Sequence, residues 1–177
     1  MRIEQLRREL LGDMDRACDP FSVFGRIVPA LNDGKWTYAQ ELFDTVCMKE
    51  YPRENTDWAQ YIGAEERAVF LAYADETIAG QIALRADWNR YALVEELSVA
   101  AFARRKGIGS ALLKTAEKWA REKGLCALSL ETQDNNLAAC RLYAKNGFSI
   151  GGVNTMLYRN FGGPIGNETA IFWYKRF

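Results

Sequence analysis

Residues 104–110 read Arg104-Arg105-Lys106-Gly107-Ile108-Gly109-Ser110, three cations ahead of two glycines and a run with helical periodicity. Glycines let the backbone turn tightly enough for several N–H groups to converge, and a helix start adds partial positive charge. Together with the basic side chains this is chemistry for a phosphate or pyrophosphate. Four further side chains are suited to handling protons: the adjacent Glu95 and Glu96, Glu131, and Tyr143. The chain contains no histidine, which excludes Ser-His-Asp and Cys-His nucleophiles and the two-histidine zinc sites of hydrolases. Cys18, Cys47, Cys126 and Cys140 form no CxxC pair. They read as structural or inert thiols in a reducing compartment, and no metal is expected.

The elements that must position these groups are clearest from residue 67 onward. Residues 68–73 and 78–84 flank the polar Asp75-Glu76 and predict a hairpin, with Gly80 marking a bulge. Residues 91–99 predict a strand that carries Glu95 and Glu96; since successive strand residues point to opposite faces, at most one of the pair should face a given cleft. Residues 107–123 predict a helix, with Ile108, Leu112, Ala116 and Trp119 as its apolar stripe, Glu117–Arg121 and Lys118–Glu122 as i,i+4 pairs, and Gly124 as its stop. Residues 125–131 then predict a strand ending at Glu131. A second helix over 136–145 is opened by Asp134 or Asn135 and closed by Asn146-Gly147. On it Asn136, Ala139, Cys140 and Tyr143 share a face. Strands at 148–158 and 170–177 follow. Nearer the N-terminus, the spacing of Ile3, Leu6, Leu10 and Met14 predicts a helix over residues 3–17, bounded by Pro20. Asn32-Asp33-Gly34 predicts a turn between two strands, and residues 51–62 a loop or short helix. No repeat of 20–50 residues is visible. The result is an α+β fold whose centre runs strand, loop, helix, strand, helix, strand.

Three phosphate motifs compete for the loop. The Walker A string GxxxxGK[ST] does not occur. A dinucleotide fingerprint has Gly107, Gly109, a following helix and Glu131 placed 24 residues after Gly107. Against it, Leu112 stands where a third glycine should allow close packing, and residues 100–106 intervene between strand and glycine. The third pattern, [Gln/Arg]-x-x-Gly-x-[Gly/Ala], is met by Arg104, Gly107 and Gly109. Here the chain resembles the GNAT superfamily of acetyl-coenzyme A-dependent N-acetyltransferases, whose order of elements it also follows. The strings Trp88-Asn89-Arg90-Tyr91-Ala92, residues 130–136, Thr155-Met156-Leu157-Tyr158 and residues 172–177 look like streptothricin acetyltransferases.

The resemblance implies a single GNAT-type domain over 1–177, with 1–75 mainly on the acceptor side, 76–150 as the acetyl-CoA core and 151–177 as C-terminal strands. It implies a mixed, mainly antiparallel sheet of about seven strands flanked by helices. Acetyl-CoA would be the co-substrate, held by Leu97, Ser98 and Val99 along pantetheine, by Arg104, Arg105, Lys106, Gly107, Ile108, Gly109 and Ser110 at the pyrophosphate, and by Asn136, Ala139 and Tyr143. The acceptor would be an amino group on the β-lysine part of streptothricin, whose acetylation confers resistance. Tyr143 is then the general acid toward the coenzyme thiolate. An alkyl ammonium has a pKa of about 10 and must lose a proton before it attacks, so a carboxylate or a water relay is needed. Glu131 and Glu96 are both candidates for it. Cys140 lacks an imidazole to activate it and reads as a packed thiol. Trp36, Tyr38, Trp88, Glu95 and Tyr158 are the expected substrate contacts, the aromatics as cation–π walls. Another polyamine, an aminoglycoside-like drug or a protein N-terminus as acceptor, and a non-catalytic acyl-CoA sensor, are the alternatives.

Composition sets the frame. With 177 residues, 49% hydrophobic and 26% charged, the chain is long enough to bury a full core and too apolar for disorder. Net charge is zero, yet residues 1–75 hold nine Lys and Arg against fourteen Asp and Glu, and the remainder the reverse. The acidic half, with Asp13, Asp15, Asp19, Glu41, Asp44 and Asp57, is available to a cationic small-molecule amine. No basic stripe favours nucleic acid. Neither an export signal nor a run of ~18 apolar residues is present, so a cytoplasmic location without membrane partners is expected. The oligomeric state is open, with a homodimer as the candidate.

Overall fold

The computed structural model describes residues 1–52 and 55–177. Arg53 and Glu54, in the stretch expected as loop or short helix, lie outside the described residues. The elements are β1 (Arg2–Gln5), β2 (Phe21–Asn32), β3 (Lys35–Lys49), β4 (Arg67–Ala74), β5 (Thr77–Ala86), β6 (Tyr91–Val99), α1 (Ile108–Glu122), β7 (Ala127–Gln133), α2 (Leu137–Lys145), β8 (Ser149–Asn154) and β9 (Ala170–Arg176). Seven strands form one sheet in the order β1-β4-β5-β6-β7-β9-β8, and β2 pairs with β3 in a second. The pairs β1–β4, β4–β5, β5–β6 and β8–β9 are antiparallel. The architecture is α+β with a mainly antiparallel sheet. Two compact units make up the chain: Met1–Phe21, Glu50–Leu128 and Phe177 in one, Ser22–Lys49 and Ser129–Arg176 in the other.

In the first unit, β4 and β5 are apolar on both faces because both are covered: Val69, Leu71, Ala72, Ile82, Ala83 and Leu84 are buried. Helix α1 buries Ile108, Leu112, Leu113, Ala116, Trp119 and Ala120. Its approach to β5 depends on Gly80. A Cβ there would lie 2.9 Å from the Ser98 carbonyl oxygen and 3.1 Å from side-chain carbons of Ile108 and Leu112. The bulge expected at Gly80 falls on its neighbour. Register passes from Ala72↔Gly80 to Tyr73↔Ile78, leaving Ala79 as the extra residue.

A second irregularity corrects the alternation expected of Glu95 and Glu96. Pairing steps from Ala83↔Glu96 to Leu84↔Val94, so Glu95 is an extra residue in β6. Glu96 then meets Gln81 and Glu95 meets Arg85, two residues on one face of regular β5. The bulge brings both carboxylates to the same face.

The helix expected over 3–17 does not form. Arg2–Gln5 instead pairs with β4, from Arg2↔Tyr73 to Gln5↔Phe70, and a 3-10 helix runs over Arg8–Asp13. A short helix containing Gly12 has little intrinsic stability, whereas the edge of β4 offers a ready ladder of hydrogen bonds. Leu6 and Met14 still reach the core. A 3-10 turn at Trp58–Tyr61, capped by Asp57 on the Ala59 N–H, is the short helix of the 51–62 stretch.

In the second unit, Val23, Gly25 and Ile27 are buried at alternate positions of β2, and Leu137, Phe148, Ile171 and Trp173 are buried with them. Helix α2 is capped by Asn136, whose side chain accepts from the Ala139 N–H, and not by Asp134 or Asn135. Asp134 is occupied elsewhere, accepting from the Thr169 N–H at 2.9 Å. The strand expected to reach residue 158 ends at Asn154, because Asn154 Oδ1 turns back to accept the Met156 N–H at 2.8 Å.

Gly80→Ala is expected to cost about 1–3 kcal/mol through overpacking against a backbone oxygen. Gly107→Ala, with φ +85° and open space around it, should cost about 1 kcal/mol from conformation alone. Urea midpoints of the two variants test that order.

Candidate functional site

In the first unit the loop after β6 is held from beneath by Arg104. Its Nε donates to the Val99 carbonyl at 3.0 Å, and its two Nη atoms donate to the Pro20 and Asp19 carbonyls at 2.7 and 2.8 Å. Asp19 completes the tie by accepting the Ala101 N–H at 2.7 Å. Arg104 is therefore spent on holding the loop, and Arg105 and Lys106 are its exposed cations. Arg105 and Gly107 take left-handed φ values of +61° and +85°, which turns the chain into α1. The helical ladder begins with Ala111 N–H donating to the Gly107 carbonyl at 3.0 Å. The amides of Ile108, Gly109 and Ser110 thus stand at the positive end of a 15-residue helix. The Ile108 and Gly109 residues themselves are buried, so what they can offer an anion is main-chain.

Leu97, Ser98 and Val99 form the end of β6, opposite Ile82, Gln81 and Gly80. Immediately before Leu97 sits Glu96, half-buried, whose Oε1 accepts three hydrogen bonds: from Gln81 Nε2 at 2.6 Å, Ser98 Oγ at 2.9 Å and Cys18 Sγ at 3.2 Å. Gln81 also donates to Asp15 Oδ1 at 3.2 Å, and Trp58 Nε1 donates to Asp15 Oδ2 at 2.9 Å. Glu95, in contrast, has both oxygens engaged within the fold, Oε2 by the Tyr61 hydroxyl at 2.7 Å and Oε1 by Arg85 at 3.0 Å. Burial, and then that bond to Glu95, push Tyr61 up to about 12. Trp88 is 91% exposed in the turn between β5 and β6.

Among the described residues, Asp15, Cys18 and Glu96 bring three potential metal ligands within 4.8 Å of one another. Burial, with the Glu96 and Asp15 charges adding to it, pushes the Cys18 thiol up to about 12. In this arrangement the thiol serves as a hydrogen-bond donor to Glu96 Oε1.

The second unit carries Glu131 on β7. Its Oε1 accepts from the Tyr158 hydroxyl at 2.6 Å, and Gln133 Nε2 donates to that same Tyr158 oxygen at 3.0 Å. Burial raises the Glu131 pKa above its ordinary value, with Glu168 adding to the effect and Tyr158 and Lys49 opposing it. Lys49 is itself paired with Glu168 at 2.6 Å, and Asn135 Nδ2 donates to Glu168 at 2.9 Å. Tyr143 is 7% exposed on α2, with ring centroids 5.8 Å from Phe148 and 6.1 Å from Trp173. Tyr38 meets Trp173 edge-on at 6.0 Å, and Trp36 is half-buried two residues earlier on β3. Asn136 and Ala139 are half-buried on α2 and joined to each other by the cap. Cys140 is buried, and burial pushes its thiol up to about 12, as an inert packed thiol requires.

Several acids of the N-terminal half go into the fold. Asp13 accepts from the Tyr73 hydroxyl at 2.8 Å, Asp19 and Asp57 cap backbone N–H groups, and Glu41 pairs with Arg26 at 2.7 Å. Gln81 was not among the expected site residues. Its signal was there, since it is the one polar side chain in the otherwise apolar run 78–84. The Lys49–Glu168 pair joins residues 119 apart and left no such mark. Among the described residues, no helix is long and apolar enough to cross a membrane.

A model of the Acetyltransferase (GNAT) family matches residues 30–148. Streptothricin acetyltransferase A of Bacillus subtilis (strain 168) is 47% identical over 165 residues, 93% of this chain and 94% of that protein. A streptothricin acetyltransferase of Escherichia coli is 40% identical over 62% of this chain and 63% of its own. A crystal structure from Bacillus anthracis str. Ames, in complex with acetyl coenzyme A, superposes with a TM-score of 0.90 at 32% identity, covering 99% of this chain and 98% of that one.

Because the folded pKa of Glu131 is raised, folding favours its protonated form. The stability linked to it is present at low pH and lost as pH rises through the raised value. Glu131→Gln should raise the urea midpoint at pH 7, with the gain shrinking as pH falls toward 4.5. A gain that grows on acidification would contradict that electrostatic account.

Proposed function

This chain belongs to the GNAT family of acetyltransferases and is an N-acetyltransferase, and on that footing we propose that it moves acetyl from acetyl-CoA to a β-lysine amino group of streptothricin, conferring resistance. The observation that carries this reading is the 47% identity to Streptothricin acetyltransferase A across nearly the whole of both chains. In it, the exposed Arg105 and Lys106 and the amides of residues 107–110 hold the pyrophosphate, while Arg104 keeps their loop in shape. Leu97, Ser98 and Val99 offer main-chain groups to pantetheine, and one N–H there stabilises the oxyanion. Asn136 and Ala139 contact the same arm. Residues 76–150 act as the acetyl-CoA core of one GNAT-type domain working in the cytoplasm.

The chemistry is direct transfer. A carboxylate or a water relay takes a proton from the substrate ammonium, and the neutral nitrogen attacks the thioester carbon. The nitrogen of the tetrahedral intermediate loses its second proton to solvent; on collapse the C–S bond breaks and Tyr143 protonates the departing thiolate, regaining its own proton from solvent, and an amide and coenzyme A are left. Glu131 is suited to the base by its raised pKa, since a more basic carboxylate accepts the proton more readily. Glu96 is suited by geometry, with one oxygen saturated by donors. Trp36, Tyr38, Trp88, Glu95 and Tyr158 complete the acceptor side, Tyr158 through its bond to Glu131.

A thiol-release assay with acetyl-CoA and streptothricin, followed by mass spectrometry, should show one added acetyl on the β-lysine part. Absence of release, with coenzyme A still raising the melting temperature, would discard streptothricin as acceptor. Tyr143→Phe should lower kcat by about 10²–10⁴-fold with KM for acetyl-CoA unchanged. With Glu131 as base, the acidic limb of kcat/KM should lie above pH 4.5 and vanish in Glu131→Gln; a limb retained in that variant removes Glu131 as the base.

A further inference from the structure

Gln81 is 1% exposed in the middle of β5, where an amide would ordinarily be costly. Every polar atom of its side chain is used. Its Oε1 accepts the Asp15 main-chain N–H at 2.8 Å, and its Nε2 donates to Asp15 Oδ1 at 3.2 Å and to Glu96 Oε1 at 2.6 Å. A main-chain N–H can only donate and a carboxylate can only accept, so these partners allow a single orientation of the amide. Asp15 makes both of its contacts from a left-handed backbone conformation, φ +64°, which Asp tolerates better than most residues. Trp58 in turn holds the other Asp15 oxygen at 2.9 Å.

The consequence falls on Glu96. Gln81, Ser98 and Cys18 all donate to its Oε1, and no side chain among the described residues donates to Oε2. A carboxylate fastened through one oxygen presents the other in a fixed direction. The shortest of the three bonds is the one from Gln81, the donor that is itself clamped from both ends.

We infer that Gln81 is a positioning residue for acetyl transfer, holding Glu96 so that Oε2 is aimed at the proton of the incoming amine or of a relaying water. This rests on the reading of Glu96 as a participant in proton removal. Preorganisation of this kind affects the chemical step more than cofactor binding, because a base off its line must reorient in the transition state.

The test is a double-mutant cycle with Gln81→Met and Glu96→Gln, using acetyl-CoA and streptothricin and measuring kcat and both KM values. Gln81→Met keeps the volume and removes the donors. It should lower kcat about tenfold or more while KM for acetyl-CoA stays within about twofold, and the double variant should be no slower than Glu96→Gln. Losses that multiply in the double variant would overturn the inference, since Gln81 would then act independently of Glu96. Full activity in Glu96→Gln would remove Glu96 from the reaction and the inference with it. If Gln81→Met does not fold, Asp15→Ala loosens the same amide from the half-buried side. Its kcat loss should likewise vanish in the Glu96→Gln background, and persistence there would overturn the inference.

Discussion

Helix α1 lies so near β5 that no side chain fits between them at Gly80, where a methyl would stand 2.9 Å from a main-chain oxygen of β6. That approach depends on one missing carbon and determines much of the first unit. It seats Ile108 and Leu112, and with them the first turn of α1, against the strands. The amides at the head of the helix are thereby placed beside the end of β6, and the loop joining the two is drawn tight enough for Arg104 to reach three carbonyls. Main-chain N–H groups at a helix start are only as well placed as the helix that carries them, and close packing is what places these.

The same unit treats two neighbouring carboxylates differently. A bulge of one residue puts Glu95 and Glu96 on one face, and their partners then separate them: Glu95 closes on Arg85 and Tyr61, and Glu96 is tethered by one oxygen. Glu131, in the other unit, owes its raised pKa to burial, partly offset by Tyr158 and Lys49. Two carboxylates suited to proton chemistry for different physical reasons, geometry in one and desolvation in the other, explain why residue type alone does not choose between them.

Much of the fold was legible in the chain. The apolar stripe of α1, the hairpin of β4 and β5, the Asn32-Asp33-Gly34 turn and the face shared by Cys140 and Tyr143 follow from local periodicity and turn chemistry, and all form where they were expected. The N-terminal segment misled because spacings of three and four suit a helix, while its real partner is the edge of β4, about seventy residues away. Bulges are equally silent in sequence, being a property of two strands in register.

Read alone, the chain already shows the chemistry excluded by the lack of histidine, the cationic glycine loop ahead of a helix, and the pattern of residues shared with acetyltransferases. These depend on residue type and short spacing, which the chain carries explicitly. It takes the folded chain to show that Arg104 holds its loop through carbonyls of Asp19 and Pro20, that Glu95 and Glu96 share a face, and that Gln81 joins Asp15 to Glu96 across 66 and 15 residues of chain. Each of those depends on strand register or on a hydrogen bond between distant segments, whose geometry exists only once the strands have paired and the core has closed.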